Sequence, residues 1–489
     1  MAEEYMINER YVSYEDFGAT GDGVTDDMPA IVKAHEYANA NKLPVRARDG
    51  ATYYIGGKNL TAVIQTDVDF GDAKFIIDDR ELESITAHVF YVKPSFPTYT
   101  PEISEVYSGQ RHIDFPHSGR TYVRVYNAQK RIFRRKGENA NDGVDATDCF
   151  VVDKDGRIEN EINWDYPTIS KAIAKCIEDT PITISGGVFV TIANKWERVY
   201  KYHCRDFYIT RSSVTVTGLT HLLEGEGDDG APYAGFITVT EAVDVTIKDT
   251  LLTPHKTYMT KDSNPPFYVN RMGTYELNFG ASINTRLIRV RQTRDIVDTR
   301  YWGLIGTNYS KEIYIENCEM SRFDAHMGVS GATIKDSKIG HQCLSLIGYG
   351  DFYIENSFVL GNSFINLRGD YGSIWRGNIT VKNCTWKPLG KGEMTIINAN
   401  NSGDHDFGYE CIMAERISID GLHVLDSAVN IGAKLYVLPE YDRSFAKGKP
   451  YPYRTAKMLV ARNITTECGR KALPFLNSEQ YTETKTDIE

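Results

Sequence analysis

The stretch from 298 to 368 gathers groups that move protons or hold anions: Asp298, Arg300, Tyr301, Arg322, Asp324, His326, His341 and Arg368. Hydrolysis of a glycosidic bond needs two carboxyl groups, one protonated and one ionised, and Asp298 and Asp324 could fill that pair. β-Elimination from a uronic acid needs instead a base for the ring proton and cations to neutralise the sugar carboxylate. His326 or Tyr301 would be that base, with Arg300 and Arg368 as the clamp. His341 joins Asp298, Asp324 and His326 as a catalytic candidate. Arg322, His255 and His405 join Arg300, Tyr301 and Arg368 as candidates for substrate binding. The competing account is that these side chains form hydrogen-bond ladders or salt bridges on a protein face. Clustering of Asp, His and Arg favours chemistry, because a structural face has less need of ionisable groups in one place.

Two loops could add to such a site. Glu224-Gly-Glu-Gly-Asp-Asp-Gly-Ala-Pro-Tyr233 is acidic and glycine-rich, so it could hold a calcium ion or overhang a groove, or be a long solvated turn. Asp404-His405-Asp406 could carry His405 over a groove, or be a polar loop held by its own turns. No cofactor is called for, and calcium is the one addition these acids admit. Asp153-Lys-Asp-Gly156 looks like a hairpin turn and lacks the later ligands of a calcium loop. Eight cysteines are present without a CxxC pair, which speaks against a zinc ribbon and for buried free thiols.

The candidates gain meaning from an internal repeat. A short alternating cassette ending in Asn or Asp plus a small residue reads Val245-Thr-Ile-Lys-Asp-Thr250, then Ile313-Tyr-Ile-Glu-Asn-Cys318. It returns as Ala332-Thr-Ile-Lys-Asp-Ser337, Phe352-Tyr-Ile-Glu-Asn-Ser357 and Ile379-Thr-Val-Lys-Asn-Cys384, with a looser copy at Ile417-Ser-Ile-Asp-Gly-Leu422. Successive copies from 313 begin 19, 20 and 27 residues apart. Such a period is too short for a helical hairpin and suits one turn of a β-solenoid. Period-two alternation turns Ile, Val and Phe inward, and Asn or Asp sits where the chain bends. One coil cannot bury its apolar face alone, so the coils stabilise one another. Counted from the cassettes, Asp324 lies nine residues after Ile315, His341 seven after Ile334 and Arg368 fourteen after Ile354. Coils stacked about 4.8 Å apart would bring such residues within reach of one sugar unit.

The N-terminal segment follows another pattern. Tyr14-Glu-Asp-Phe-Gly-Ala-Thr-Gly-Asp-Gly-Val-Thr-Asp-Asp27 precedes Pro29-Ala-Ile-Val-Lys-Ala-His-Glu-Tyr-Ala-Asn-Ala40. Thr25 or Asp26 reads as the N-cap of an amphipathic helix, with Pro29 in its first turn and Ile31, Ala34, His35 and Ala38 inward. The string DFGATGDGVTDDMPAI resembles the opening motif of the pectate-lyase-like superfamily, which includes glycosidases, lyases and phage tailspike-like β-helices. The resemblance implies a right-handed parallel β-helix with an N-terminal capping helix, and a polysaccharide bound along a lateral groove. Its tailspike branch implies a homotrimer and a place outside the cell or on a virion. Gly340-His341-Gln342 is only a fragment of the polygalacturonase motif, with no Asp-Asp pair on the coil before it, so that branch's catalytic residues do not carry over.

These readings give four segments. Residues 1–94 are the cap and first coils, 95–180 an inserted β-rich subdomain, 181–470 the β-helix and 471–489 a C-terminal tail. Within the insert, Pro167–Lys175 reads as a short helix. The basic run Lys130-Arg-Ile-Phe-Arg-Arg-Lys136 reads as a solvated strand edge or an anionic-glycan contact. A net charge of −11 argues against a nucleic-acid partner. No signal peptide or membrane-spanning run is visible. The function expected is cleavage of a polysaccharide by a hydrolase or lyase, the alternatives being a phage tailspike or a non-enzymatic glycan-binding solenoid.

Overall fold

The computed structural model describes residues 10–135, 141–197, 201–261, 269–400, 406–441 and 453–489. The chain folds as a right-handed parallel β-helix with one capping α-helix and an inserted antiparallel sheet. It divides into two compact units, one of Met1–Pro97, Ile177–Gly280 and Thr285–Ile305, the other of Thr98–Cys176, Ala281–Asn284 and Gly306–Glu489.

In the first unit each coil has three faces, and each face is a parallel ladder. One ladder runs through Val12–Ser13, Val45–Arg46, Val68–Asp69, Ile182–Ser185, Val214–Thr217 and Val243–Lys248. A second joins Ala62–Ile64, Phe90–Val92, Phe207–Ile209, Ile237–Thr240 and Tyr275–Gly280. The third joins Thr52–Ile55, Lys74–Asp78, Val188–Ile192 and Thr220–Glu224. Lys74–Asp78 pairs directly with Val188–Ile192, so the chain leaves the winding between them and then resumes it. Phe75 stacks on Phe189 at 4.8 Å and Phe90 on Phe207 at 4.6 Å. Those separations match the spacing of adjacent strands, so one inward aromatic per coil builds a continuous core.

The helix Met28–Asn41 buries Ile31, Ala34, His35 and Ala38 against Ala62–Ile64. His35 Nε2 lies 3.1 Å from the Tyr14 hydroxyl, and burial lowers its pKa to about 3, so it is a neutral core group. The N-cap differs from expectation. Strand Asp22–Asp26 runs through Thr25 and Asp26, because it pairs with Thr52–Ile55, and Asp27 takes the cap position. The Asp27 carboxylate accepts hydrogen bonds from the Thr20 and Gly21 amides, at 2.6 and 3.2 Å, and so staples the preceding turn.

The second unit stacks Phe323–Lys335, Gly348–Glu355, Trp375–Pro388, Arg416–Val424, Met458–Thr466 and Lys485–Ile488 in parallel. The cassettes at 332, 352, 379 and 417 lie within these strands, and Ile315, Ile334, Ile354 and Val381 are fully buried. Across both units the terminal residues Asp249, Asn317, Asp336, Asn356 and Asn383 adopt φ between +48° and +54°. Short polar side chains tolerate that left-handed turn better than most, which explains why the repeat ends on Asn or Asp. The polar ladder involves the next residue as well. Ser337 Oγ accepts from the Cys318 amide at 3.0 Å, and Ser357 Oγ from the Ser337 amide at 3.1 Å.

The inserted sheet comprises Thr121–Ile132, Val144–Val152 and Lys171–Cys176, all antiparallel. No helix forms over the expected 167–175: Lys171–Cys176 is a strand that pairs with Thr121–Tyr126 and buries the alternating Ala172 and Ala174. A buried ion pair between Asp148 and Lys311, at 2.7 Å, ties this sheet to the coils of the same unit.

Candidate functional site

The second unit brings Arg322, Asp324, His326 and Arg368 together. Strand Phe323–Lys335 places Asp324 opposite Ser345, which lies opposite Asn366, which lies opposite Asn398. Four coils thus present one column of polar residues. Asp324 is fully buried and accepts from Arg322 Nη2 at 2.8 Å and from Arg368 Nη1. Arg368 also forks onto Asp370, with Nε 3.0 Å from Oδ1 and Nη2 2.7 Å from Oδ2. Burial opposes ionisation of Asp324, yet Arg322 and Arg368 outweigh it and hold the carboxyl well below its usual range. Asp324 is therefore a fixed anion and cannot serve as a proton donor near neutrality.

His326 sits two residues further along the strand. Its Nδ1 lies 3.2 Å from Asn308 Oδ1, and its ring meets Tyr371 edge-on at 5.7 Å. Burial, reinforced by Arg368, lowers its pKa to about 4. The basic run of the insert finds partners here. Arg135 Nη2 is 3.5 Å from Asp370, Arg134 pairs with Asp406 at 2.9 Å, and Lys130 lies over the Trp164 ring. Lys136 lies outside the described residues, as does His405.

Beside this cluster lies an open cleft of about 440 Å³ spanning three coils. One coil supplies His341, Gln342 and Cys343, the next Asn362, Ser363 and Asn366, and the third Glu393, Thr395 and Asn398. Cys343 links the two, with Sγ 3.5 Å from Ser345 Oγ. Burial pushes its thiol pKa up, which makes it a poor nucleophile. His341 and Glu393 are the other titratable groups among the described lining residues. Reading the sequence for clusters misses Glu393 because it stands alone on the loop between two cassettes. It also misses Asp370, although Arg368-Gly-Asp370 is a signal for a local guanidinium–carboxylate clamp.

The remaining candidates belong to the first unit. Arg300 forks onto Asp298, at 2.9 and 2.6 Å, but its side chain is 77% exposed, so this is a local surface pair of small energetic worth. Tyr301 lies under the Arg294 guanidinium at 4.6 Å and bridges to Lys256. His255 is buried between two carboxylates, with Nδ1 3.0 Å from Glu226 and Nε2 3.1 Å from Glu276. Burial disfavours its charge, but those carboxylates prevail and raise its pKa to about 9. Glu276 also receives His221 at 2.6 Å, and its own pKa falls to about 2. Burial opposes that fall, and His221 and His255 drive it. The network secures the acidic loop, since Glu226 also accepts from Tyr258 and from the Lys256 amide at 2.8 and 3.0 Å. Among the described residues, no group of three or more His, Cys, Asp or Glu is placed to hold a metal ion. The first unit has a cleft of its own, about 540 Å³, lined by Tyr54, Gly57, Asp78, Arg80, Glu81 and Lys195.

No protein-family model matches the chain. A capsule depolymerase specific for KL64, from Klebsiella phage P510, is 30% identical over 96 residues, which is 17% of this chain and 9% of that protein. The chain thus matches less than a tenth of the length of this curated relative. Three solved tailspikes share the fold over most of both chains. That of Pseudomonas phage phi297, gp61, gives a TM-score of 0.60 at 12% identity, covering 97% of this chain and 83% of that one. Gp54 of Acinetobacter baumannii bacteriophage AP22, solved with A. baumannii capsular saccharide, gives 0.51 at 10% identity, with 97% and 79% covered. Gp49 of Pseudomonas phage LKA1 gives 0.50 at 15% identity, with 93% and 81% covered. No helix among the described residues is long and apolar enough to cross a membrane.

Proposed function

We propose that this chain is the glycan-depolymerising body of a phage tailspike, and that it cleaves a bacterial surface polysaccharide by hydrolysis in the cleft of the second unit. The observation that carries the reading is the pairing of an open, polar, three-coil cleft with the Asp324 cluster beside it. The name of the partial relative and the shared tailspike fold support the substrate class. Hydrolysis is favoured over elimination because a lyase must neutralise a uronate carboxylate. Here Arg322 and Arg368 are turned to Asp324 and Asp370. No described residue lining the cleft is Lys or Arg.

In this reading Glu393 and His341 are the proton-transfer groups at the cleft. Glu393 stands by the leaving oxygen or the attacking water, and His341 takes the place of the second carboxyl group of the usual pair. Asp324, His326 and Arg368 position the cleft-facing column through Ser345 and Asn366. As a tailspike the protein acts on the virion surface as a homotrimer. The test is incubation of the full chain with purified capsular polysaccharides. New reducing ends, without the ultraviolet absorbance of an unsaturated product, are expected. An unsaturated product refutes hydrolysis, and intact polymer across a broad capsule panel refutes the depolymerase reading.

A further inference from the structure

The lining of the second unit's cleft also selects a class of sugar. We infer that it takes uncharged hexose units, recognised through a side-chain amide pair, rather than uronic or other acidic sugars. This rests on the proposed depolymerase reading of the same cleft.

Asn366 and Asn398 occupy paired positions on adjacent strands, and Asn398 Nδ2 donates to Asn366 Oδ1 at 3.0 Å. That bond fixes both amides. The Asn366 amino group is left as a donor and the Asn398 oxygen as an acceptor, about one strand spacing apart, roughly 4.8 Å. A pair of neighbouring sugar hydroxyls, each able to donate and accept, complements such a pair. Asn362, Ser363 and Thr395 extend the same uncharged chemistry along the cleft.

An acidic sugar meets the opposite conditions. Its carboxylate would surrender water on entering, and the described lining offers no Lys or Arg to replace that water. Glu393 would add like-charge repulsion. The nearby guanidinium groups are engaged geometrically, Arg322 on Asp324 and Arg368 on both Asp324 and Asp370.

The experiment uses one polymer in two forms. A uronate-containing capsular polysaccharide is compared with the same polymer after chemical reduction of its carboxyl groups to primary alcohols, alongside naturally neutral capsules. Release of reducing ends and binding to immobilised glycan are measured with the full chain. The neutral forms should be turned over at least about tenfold more efficiently in kcat/KM, a factor worth about 1.4 kcal/mol. Asn398→Ala should raise KM more than it lowers kcat, and Glu393→Gln should bring acidic-glycan binding closer to neutral-glycan binding. Equal or better cleavage of the acidic form overturns the inference while leaving the depolymerase reading intact. No binding and no cleavage of any glycan overturns both.

Discussion

Replacing Arg368 by methionine tests the electrostatic logic of the site. Met keeps much of the side chain's apolar bulk and deletes the guanidinium that joins Asp324 to Asp370. Breaking a buried ion pair by removing one partner costs about 3–5 kcal/mol, because the other charge stays buried without compensation. Asp324 keeps Arg322 at 2.8 Å, and Asp370 is partly solvated and keeps Arg135 at 3.5 Å. The expected loss therefore lies at the low end, about 3 kcal/mol. The assay is urea unfolding at neutral pH, followed by the fluorescence of Trp375 and Trp386, both buried in this unit. The Asp324→Asn variant and the double variant complete a thermodynamic cycle, and the two sites should couple by at least about 1 kcal/mol. The pH dependence has a definite sign. Because the folded-state pKa of Asp324 is depressed, its ionic contribution is present above its unfolded pKa of about 3.9 and fades as the pH falls through its folded value. The Asp324→Asn penalty should shrink on that descent. A stability of Arg368→Met within about 1 kcal/mol of the parent, with additive singles, refutes the reasoning.

Other expectations follow from the same structure. His255→Gln should destabilise the first unit most at mildly acidic pH. The raised pKa means that the histidine's contribution is complete below about 6.5 and lost as the pH climbs through about 9, so the gap to the parent should close over that range. A gap that widens toward alkaline pH contradicts the bridged imidazolium. Glu393→Gln should lower turnover by about 10²–10⁴-fold, the usual weight of one acid–base group, while the melting temperature of this exposed position holds. Retained activity removes Glu393 from the chemistry. Asn317→Val should cost about 1–2 kcal/mol and Asn317→Gly much less, because residue 317 turns at φ +54°. Denaturation midpoints that rank Val above Gly would show the turn to be unstrained.

The coils were legible in the sequence because two local rules repeat in each cassette. Alternation fixes the inward side, and the terminal Asn or Asp fixes the bend. Ile315, Ile334, Ile354 and Val381 all obey the first rule, and Asn317, Asp336, Asn356 and Asn383 the second. Both depend only on neighbours within a few residues. The inserted sheet obeys no such rule, since its pairing is antiparallel and non-local, and Lys171–Cys176 satisfies its partners as a strand despite helix-like spacing.

The site was harder to read because lateral register depends on what each coil does after its cassette. Counting from the cassettes aligns Asp324, nine residues after Ile315, with His341, seven after Ile334. The ladder instead sets Asp324 against Ser345, then Asn366 and Asn398. Those partners lie 11, 12 and 17 residues after Ile334, Ile354 and Val381, so each corner adds residues and the offset grows coil by coil. A count that is sound at the cassette therefore drifts at the groove. That drift also hides the amides. Asn366 and Asn398 are 32 residues apart and belong to no motif, yet they form the hydrogen-bonded pair that gives the cleft its chemical character. In a solenoid the cassettes hold the fold constant, and the insertions between them decide which side chains share a groove. Recognition can thus change by loop length alone, with every buried isoleucine left in place.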